Sequence, residues 1–157
     1  MLKIVGMADM KISSVREDVL VTYALGSCVG LTVYDPFTGV GGMLHAMMPD
    51  SKIDMDKSRE NPFMFIDTGL PLLLEECARL GAKKEWLQIK AAGCASLATG
   101  KFFKMGYRNF TSLNKLLAAY GLPLLAYDVG GKGSRTMKLS LLNGEVQIED
   151  NGKKIKL

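Results

Sequence analysis

The carboxyl-terminal third of the chain alternates apolar and polar residues with a period of two, which is the pattern of strands that are buried on one face. The apolar positions are Met137, Leu139 and Leu141 before Asn143-Gly144, and Val146 and Ile148 after it. Successive side chains of a strand point to opposite faces, and Asn-Gly favours a tight turn between antiparallel strands. We therefore expect a β-hairpin here, so that any sheet in the fold contains antiparallel pairs.

Helices and strands are interspersed along the rest of the chain. Apolar runs predict strands at residues 4–7, 11–13, 19–24, 29–34, 40–48, 85–91 and 122–129. Asp67 or Thr68 is expected to cap a first amphipathic helix, with Pro71 in its first turn, and residues 109–120 are expected to form a second. Residues 49–62 are polar and are expected to form a long exposed loop. The predicted fold is a single α/β domain over residues 1–157, a sandwich in which helices cover a mixed, hairpin-rich β-sheet, with a polar tail at 150–157 that is expected to fray.

Charge and hydropathy argue against two classes of function. The net charge of +4 arises from scattered lysines, and the only local cluster is Lys153, Lys154 and Lys156, so nucleic-acid binding gains little support. The amino-terminal run carries Lys3 and Asp9, and there is no uncharged stretch of bilayer length. We therefore expect a cytoplasmic protein without membrane insertion.

Cofactor and metal sites are not expected either. The three cysteines show no CxxC spacing, and no His, Cys or carboxylate cluster has the spacing of a metal site. Gly100-Lys101 resembles part of a phosphate loop, but Ala95 stands where that motif needs glycine and Phe102 where it needs Ser or Thr. We expect neither a metal nor an organic cofactor.

Cys28 and His45, the only histidine, lie on the two strands of a predicted hairpin. A four-residue loop at 35–38 would place Cys28 directly opposite His45, whereas a five-residue loop would pair it with Ala46. Opposed residues share a face and have Cβ atoms about 4.5–5.5 Å apart, close enough for a thiol and an imidazole to form an ion pair. Such a pair lowers the pKa of the thiol and creates a nucleophile.

Gly26-Ser27 precedes Cys28 and would leave backbone N–H groups free at a turn, so Ser27 is a weak candidate for an oxyanion site. The structural alternative remains open, because a lone cysteine in an apolar segment is often a small buried residue and a lone histidine is often part of the scaffold. Cys77 and Cys94 are interpreted as structural.

A series of motifs follows in order along the chain. They are Thr22-Tyr23-Ala24-Leu25-Gly26-Ser27-Cys28-Val29, Asp35-Pro36, Gly41-Gly42-Met43, His45 with Pro49, Arg108-Asn109, Tyr127-Asp128-Val129-Gly130-Gly131, Gly133, Arg135 and Asn143-Gly144-Glu145-Val146. Together they resemble the chemotaxis protein CheD family over nearly the whole chain.

The resemblance implies a deamidase that converts glutamine side chains on the cytoplasmic helices of methyl-accepting chemoreceptors to glutamate. By motif position, its catalytic triad falls on Cys28, His45 and Thr22. The resemblance also implies a fold similar to the cytotoxic necrotizing factor deamidases, hydrolysis of glutamyl methyl esters, and a heterodimer with the phosphatase CheC. Two alternatives remain: a non-catalytic adaptor that binds receptors or CheC through the same groove, and an enzyme that is primarily a receptor methylesterase.

Overall fold

The computed structural model describes residues 1–96 and 104–157, and their strands form two five-stranded sheets. In chain order the strands are β1 Leu2–Ile4, β2 Asp9–Ser13, β3 Val19–Leu25, β4 Val29–Tyr34, β5 Gly41–Ala46, β6 Gln88–Gly93, β7 Leu124–Val129, β8 Arg135–Ser140, β9 Val146–Asp150 and β10 Lys153–Lys156. The strands of the first sheet follow the order β1-β3-β8-β9-β10 and those of the second the order β2-β5-β4-β6-β7. Both sheets mix parallel and antiparallel pairs, since β1 runs parallel to β3 and β6 parallel to β7. The Gly100-Lys101 motif lies outside the described residues.

Most strands overlap the predicted apolar runs, but β1 shares only Ile4 with the strand predicted at 4–7, and a 3-10 turn at Lys84–Trp86 occupies the start of the strand predicted at 85–91. The helices are α1 Met55–Glu60, α2 Ile66–Arg79 and α3 Met105–Tyr120, with 3-10 turns at Ser51–Ile53, Pro62–Met64 and Lys84–Trp86.

The chain is layered as sheet, sheet and helices. One apolar cluster lies between the two sheets and includes Leu20, Met43 and Met137. A second cluster lies between the outer face of the second sheet and helices α2 and α3, and it includes Leu44, Leu70 and Leu113. The fold is therefore mixed α/β, as predicted, but it contains two stacked sheets where the sequence suggested one.

The carboxyl-terminal hairpin is confirmed, because Met137 pairs with Ile148 and Leu139 with Val146. The tail beyond it forms a strand: β10 adds antiparallel to β9, and the Lys90 ammonium group donates a hydrogen bond to the Leu157 carbonyl at 2.7 Å. Pairing to β9 supplies the hydrogen bonds that a free tail would make with water, which the polar composition could not indicate.

Two other expectations were wrong in part. Residues 49–62 are not an irregular loop, because the Asp50 and Asp54 carboxylates accept backbone N–H bonds and cap the 3-10 turn at Ser51–Ile53 and helix α1. Helix α2 begins at Ile66 without a side-chain cap, so Pro71 lies inside the helix and the Asp67 carboxylate binds Ser51 instead. Among the described residues, no helix is long and apolar enough to cross a membrane.

Candidate active site

Thr22 and His45 meet across the space between the two sheets. Thr22 lies on β3 in the first sheet and His45 on β5 in the second, and Thr22 Oγ1 is 2.7 Å from His45 Nδ1. Their exposed fractions are 0% and 1%. The hydrogen bond is therefore shielded from water and holds the imidazole ring against the first sheet.

The direction of that hydrogen bond fixes the tautomer of His45. The Thr22 hydroxyl also lies 2.7 Å from the Val5 carbonyl oxygen, which can only accept a hydrogen bond. Because a hydroxyl has one proton, Thr22 donates to Val5 and accepts from Nδ1–H of His45. This network assigns the lone pair of the neutral imidazole to Nε2, the nitrogen that a general base would use.

His45 Nε2 is buried and has no hydrogen-bond partner among the described residues. Burial lowers the pKa of His45 to about 4, partly opposed by the negative charge of Asp9. At neutral pH the ring is therefore uncharged, and its Nε2 lone pair is free to take a proton.

Cys28 does not lie opposite His45, because the hairpin loop contains six residues, 35–40, and Gly30 is the partner of His45. The Asp35 carboxylate stabilises the longer loop by accepting the N–H groups of Phe37 and Thr38. The register is shifted by two residues, so the two side chains still share a face. A Cβ at Gly30 would point between the sheets towards Leu25, and Cys28 packs against the same apolar layer.

The strand β4 ladder continues past Val29 to Cys28, since the Cys94 N–H donates to the Cys28 carbonyl at 2.8 Å. On a regular ladder, the residue two positions from the direct partner is a diagonal neighbour at about 7–8 Å. In agreement with that spacing, Cys28 Sγ forms no hydrogen bond with His45 Nε2 in this conformation. Catalytic hydrogen bonds are often long before substrate binds, so the separation does not remove the pair from consideration.

Burial governs the resting state of the three thiols. It raises the pKa of Cys28, while the residue's own backbone N–H acts in the opposite direction. Burial raises the pKa of both Cys77 and Cys94 to about 12. Cys28 is also the only one of the three that is not fully buried. At rest, then, the site contains a neutral thiol and a neutral imidazole.

The turn before Cys28 is shaped by a bulge in β3. Pairing with β8 shifts between Thr22 and Leu25, and Ala24 adopts a positive φ of 57°. The Gly26 carbonyl then accepts the Ala95 N–H at 2.8 Å. Within residues 1–96 and 104–157, the N–H groups of Ser27 and Cys28 donate to no other residue. These two donors are the geometry's candidates for an oxyanion site.

Asn109 joins the segment that precedes Cys28 to the segment that follows β5, a role that sequence reasoning missed. Its side-chain Nδ2 donates to the Ser27 carbonyl at 2.9 Å and to the Met47 carbonyl at 3.0 Å, and the residue is fully buried. The available signal was an amide on the apolar stripe of α3, four residues before the buried Leu113. Asn109 thus fixes the distance between the two segments that carry Cys28 and His45.

Arg135 stabilises the end of β6, the strand that pairs with the segment of Cys28. The buried guanidinium donates from Nη1 to the Gly93 carbonyl at 3.0 Å and pairs through Nε with the Asp128 carboxylate at 3.1 Å. Gly93 has a φ of 102°, and its Cα faces the Cys28 carbonyl so closely that no side chain fits. The position of Cys28 therefore depends on Gly93 and on the partly buried ion pair between Arg135 and Asp128.

Asp9 is a second site residue that sequence reasoning missed, because it is distant from His45 in sequence. It lies on β2, directly opposite His45 on β5. Its carboxylate accepts N–H bonds from Gly6 and Met10 and a 2.8 Å bond from the Lys11 ammonium. The site therefore contains one carboxylate beside the histidine. No group of three or more metal-ligating side chains occurs among the described residues.

Comparison with known proteins shows which family the chain resembles. The family model for CheD chemotactic sensory transduction matches residues 47–150. A protein of Solibacter usitatus named probable chemoreceptor glutamine deamidase CheD is 46% identical over 155 residues, 98% of this chain and 92% of that protein. Proteins of Syntrophus aciditrophicus and Pyrococcus abyssi with names of the same kind are each 41% identical, over 95% and 92% of this chain and 94% and 88% of their own. The chain belongs to the CheD family.

Proposed function

We propose that this protein is a chemoreceptor glutamine deamidase in which Cys28 is the nucleophile, His45 the general base and acid, and Thr22 the residue that orients the imidazole. The buried Thr22–His45 hydrogen bond carries the proposal, because it leaves the unpartnered Nε2 as a free base. Relatives named as chemoreceptor glutamine deamidases support the choice of substrate.

In the first half-reaction, the Cys28 proton passes to His45 Nε2 while the sulfur attacks the carboxamide carbon of a receptor glutamine. The C–N bond of the tetrahedral intermediate then breaks. The proton on Nε2 moves to the departing nitrogen, so that ammonia leaves and a thioester remains on Cys28.

In the second half-reaction, water gives a proton to Nε2 and its oxygen attacks the thioester carbon. The C–S bond breaks, and the proton returns from Nε2 to the Cys28 sulfur. One glutamine side chain and one water thus become one glutamic acid side chain and one ammonia. The cycle needs no metal and no organic cofactor.

The backbone around the nucleophile supports this chemistry. Both tetrahedral intermediates carry negative charge on the former carbonyl oxygen, which preorganised N–H donors stabilise. The N–H groups of Ser27 and Cys28 are the donors we assign to that role, since neither donates to another described residue. The Asn109 side chain donates to the Ser27 carbonyl. This bond keeps the Ser27–Cys28 peptide group, which contains the Cys28 N–H, in one orientation.

The remaining parts of the proposal rest on the family. They are action in the cytoplasm on helices of methyl-accepting chemoreceptors, a heterodimer with the phosphatase CheC, and a fold similar to the cytotoxic necrotizing factor deamidases. Glutamyl methyl esters are a second substrate class, because a thiolate cleaves an ester and an amide through the same acyl intermediate. Relative rates on the amide and ester forms of one receptor peptide separate a deamidase from a methylesterase.

A non-catalytic adaptor is the competing function. The absence of a hydrogen bond between Cys28 and His45, together with the raised pKa of Cys28, is what a purely structural pair would also show. Receptor binding without chemical conversion would favour the adaptor.

The decisive experiment incubates a chemoreceptor cytoplasmic fragment with wild-type protein and with the variants Cys28→Ala, His45→Ala and Cys94→Ala. Mass spectrometry follows the gain of about 1 Da for each glutamine converted. Conversion by wild type and Cys94→Ala only, with all variants folded by circular dichroism, supports the proposal. Equal conversion by Cys28→Ala contradicts the thiol mechanism, and no conversion by wild type despite receptor binding favours the adaptor.

A further inference from the structure

The triad at this site lacks the charged member that triads usually contain. In Ser-His-Asp triads, the residue that orients the imidazole is a carboxylate, which also stabilises the imidazolium that forms during reaction. Here Thr22 takes the orienting position, and its hydroxyl is neutral. His45 is 1% exposed, and a buried cation without a countercharge is costly. The Cys28 thiolate formed in the same step is one countercharge, but it is consumed when the sulfur attacks the substrate, so a fixed anion on another element would give the imidazolium lasting stabilisation.

We propose that Asp9 is a positioning residue that stabilises the protonated form of His45 during ionisation of Cys28. The inference rests on the proposed function, in which His45 takes the Cys28 proton. Asp9 and His45 are direct partners in the antiparallel β2–β5 ladder. Direct partners share a face and have Cβ atoms about 4.5–5.5 Å apart, so the two side chains are neighbours on the face that lies between the sheets.

The protonation state of Asp9 suits that role. Burial alone would raise its pKa, but the Lys11 ammonium and the N–H groups of Gly6 and Met10 lower it below its ordinary value. The carboxylate is therefore ionised throughout the neutral range. Its negative charge raises the pKa of His45 against the effect of burial.

The other described groups around His45 supply no competing anion at neutral pH. From β2 the charged neighbours are Asp9 itself and Lys11, whose ammonium is 2.8 Å from the Asp9 carboxylate. From the start of β4 comes the Cys28 thiol, and from β3 the neutral hydroxyl of Thr22. Helix α2 packs on the opposite face of β5, against Gly42 and Leu44. Among these groups, the positive charge of Lys11 counteracts the effect of the Asp9 carboxylate on His45. Variants of the two residues should therefore have opposite effects.

Neutralising either partner of the Asp9–Lys11 ion pair breaks the same contact but changes the field at His45 in opposite directions. Asp9→Asn removes the negative charge and keeps a side-chain oxygen that can accept the Met10 N–H. Lys11→Gln leaves Asp9 uncompensated. Asp56→Asn is the matched control, because Asp56 forms an exposed ion pair with Arg59 outside the site.

The readout is the rate of Cys28 alkylation by iodoacetamide between pH 5 and 10, followed by mass spectrometry of the Cys28 peptide. Asp9→Asn should slow alkylation at pH 7 by about threefold to tenfold and move the profile to higher pH, since one pKa unit is a tenfold change in ionisation. Lys11→Gln should speed alkylation and move the profile to lower pH. Asp56→Asn should match wild type.

Changes of Asp9→Asn and Lys11→Gln in the same direction, or an unchanged profile for Asp9→Asn, would overturn the inference, because a structural ion pair would respond in that way. If Asp9→Asn does not fold, Lys11→Gln decides alone: acceleration supports the role of Asp9, and no acceleration rejects it. Alkylation needs no receptor, so a failure of wild type to deamidate receptor would reject the proposed function without changing this result.

Discussion

Thr22 and His45 connect the two sheets of the sandwich through one buried hydrogen bond, in which the Nδ1–H of His45 donates to the Thr22 hydroxyl over 2.7 Å. The same hydroxyl donates to the Val5 carbonyl. Thr22 therefore has two roles. Its hydroxyl satisfies two buried polar groups inside an apolar layer, and it determines which imidazole nitrogen can act as a base.

Thr22→Val tests the hydroxyl group of Thr22, because it removes both hydrogen bonds and keeps the shape of the side chain. Valine matches the volume but leaves the Val5 carbonyl and the His45 Nδ1–H without partners, which costs about 1–3 kcal/mol of the free energy of unfolding. We expect a deamidation rate at least about tenfold lower, since 1.4 kcal/mol in the barrier is a factor of ten. Urea unfolding and receptor deamidation are the two measurements. Thr22→Ser keeps the hydroxyl and should retain most of the rate.

The stability of the protein should fall as pH is lowered from 7 to 5. The folded-state pKa of His45 is about 4, below the ordinary value of 6.5, so the unfolded chain binds the proton more tightly. Stability is then present above pH 6.5 and is lost towards pH 4, by about 2 kcal/mol at pH 5. Urea unfolding at several pH values measures the slope. His45→Gln should flatten it, and an equal slope in this variant would assign the effect to other groups.

Asn109→Leu should both destabilise the protein and slow its reaction. Leucine has a similar size but leaves the carbonyls of Ser27 and Met47 unpaired in the interior, so we expect a loss of about 2 kcal/mol or more. Asn114→Leu is the control on the same helix, because Asn114 is exposed and its side chain donates to the Phe110 carbonyl one turn away. Its effect should stay within about 0.5 kcal/mol. Similar losses in both variants would contradict the bridging role.

Gly93→Ala should displace the Cys28 segment. Two costs combine here: a φ of 102°, which L-residues rarely adopt, and contact between the new Cβ and the Cys28 carbonyl. Gly81 has a φ of 103° with open space around it, so Gly81→Ala isolates the first cost, about 1–2 kcal/mol. Thermal unfolding should rank Gly93→Ala well below Gly81→Ala. Equal melting temperatures would show that the backbone adjusts freely around Cys28.

Iodoacetamide should modify Cys28 first in the native protein. Cys77 and Cys94 are buried and their pKa values are raised to about 12, so their thiolates are scarce as well as inaccessible. Intact-protein mass spectrometry should show one adduct under native conditions at pH 8 and three in urea. Peptide mapping that placed the first adduct on Cys77 or Cys94 would contradict the assigned burial.

Strand positions could be predicted from the sequence because the alternation of apolar residues is local, as in Met137 and Leu139. Sheet membership could not be predicted in the same way. Val29 and Leu20 are both apolar strand residues, yet they belong to different sheets and to different apolar clusters. Pairing between strands depends on contacts that are distant in sequence, and local patterns carry little information about them.

The register of the hairpin that contains Cys28 could not be predicted from local sequence either, and it differs from the prediction by two residues. The six-residue loop depends on the Asp35 carboxylate, which also accepts the distant Lys83 N–H at 2.9 Å. That partner is not visible in the hairpin sequence. The face shared by Cys28 and His45 was nevertheless predicted correctly, because a shift of two residues preserves the alternation of side chains. Asn109 and Asp9 escaped notice because their partners come from other elements.

The place of β4 in the second sheet has a consequence for how the protein opens. Strand β4 is hydrogen-bonded to β5 on one side and to β6 on the other, and Cys28 stands at its beginning. Amide protons of a central strand exchange with solvent mainly when the whole domain unfolds, whereas edge strands open locally. Cys28, the proposed nucleophile, therefore adjoins a strand that opens late, so transient opening of the edge strands β7 and β10 should leave its surroundings intact.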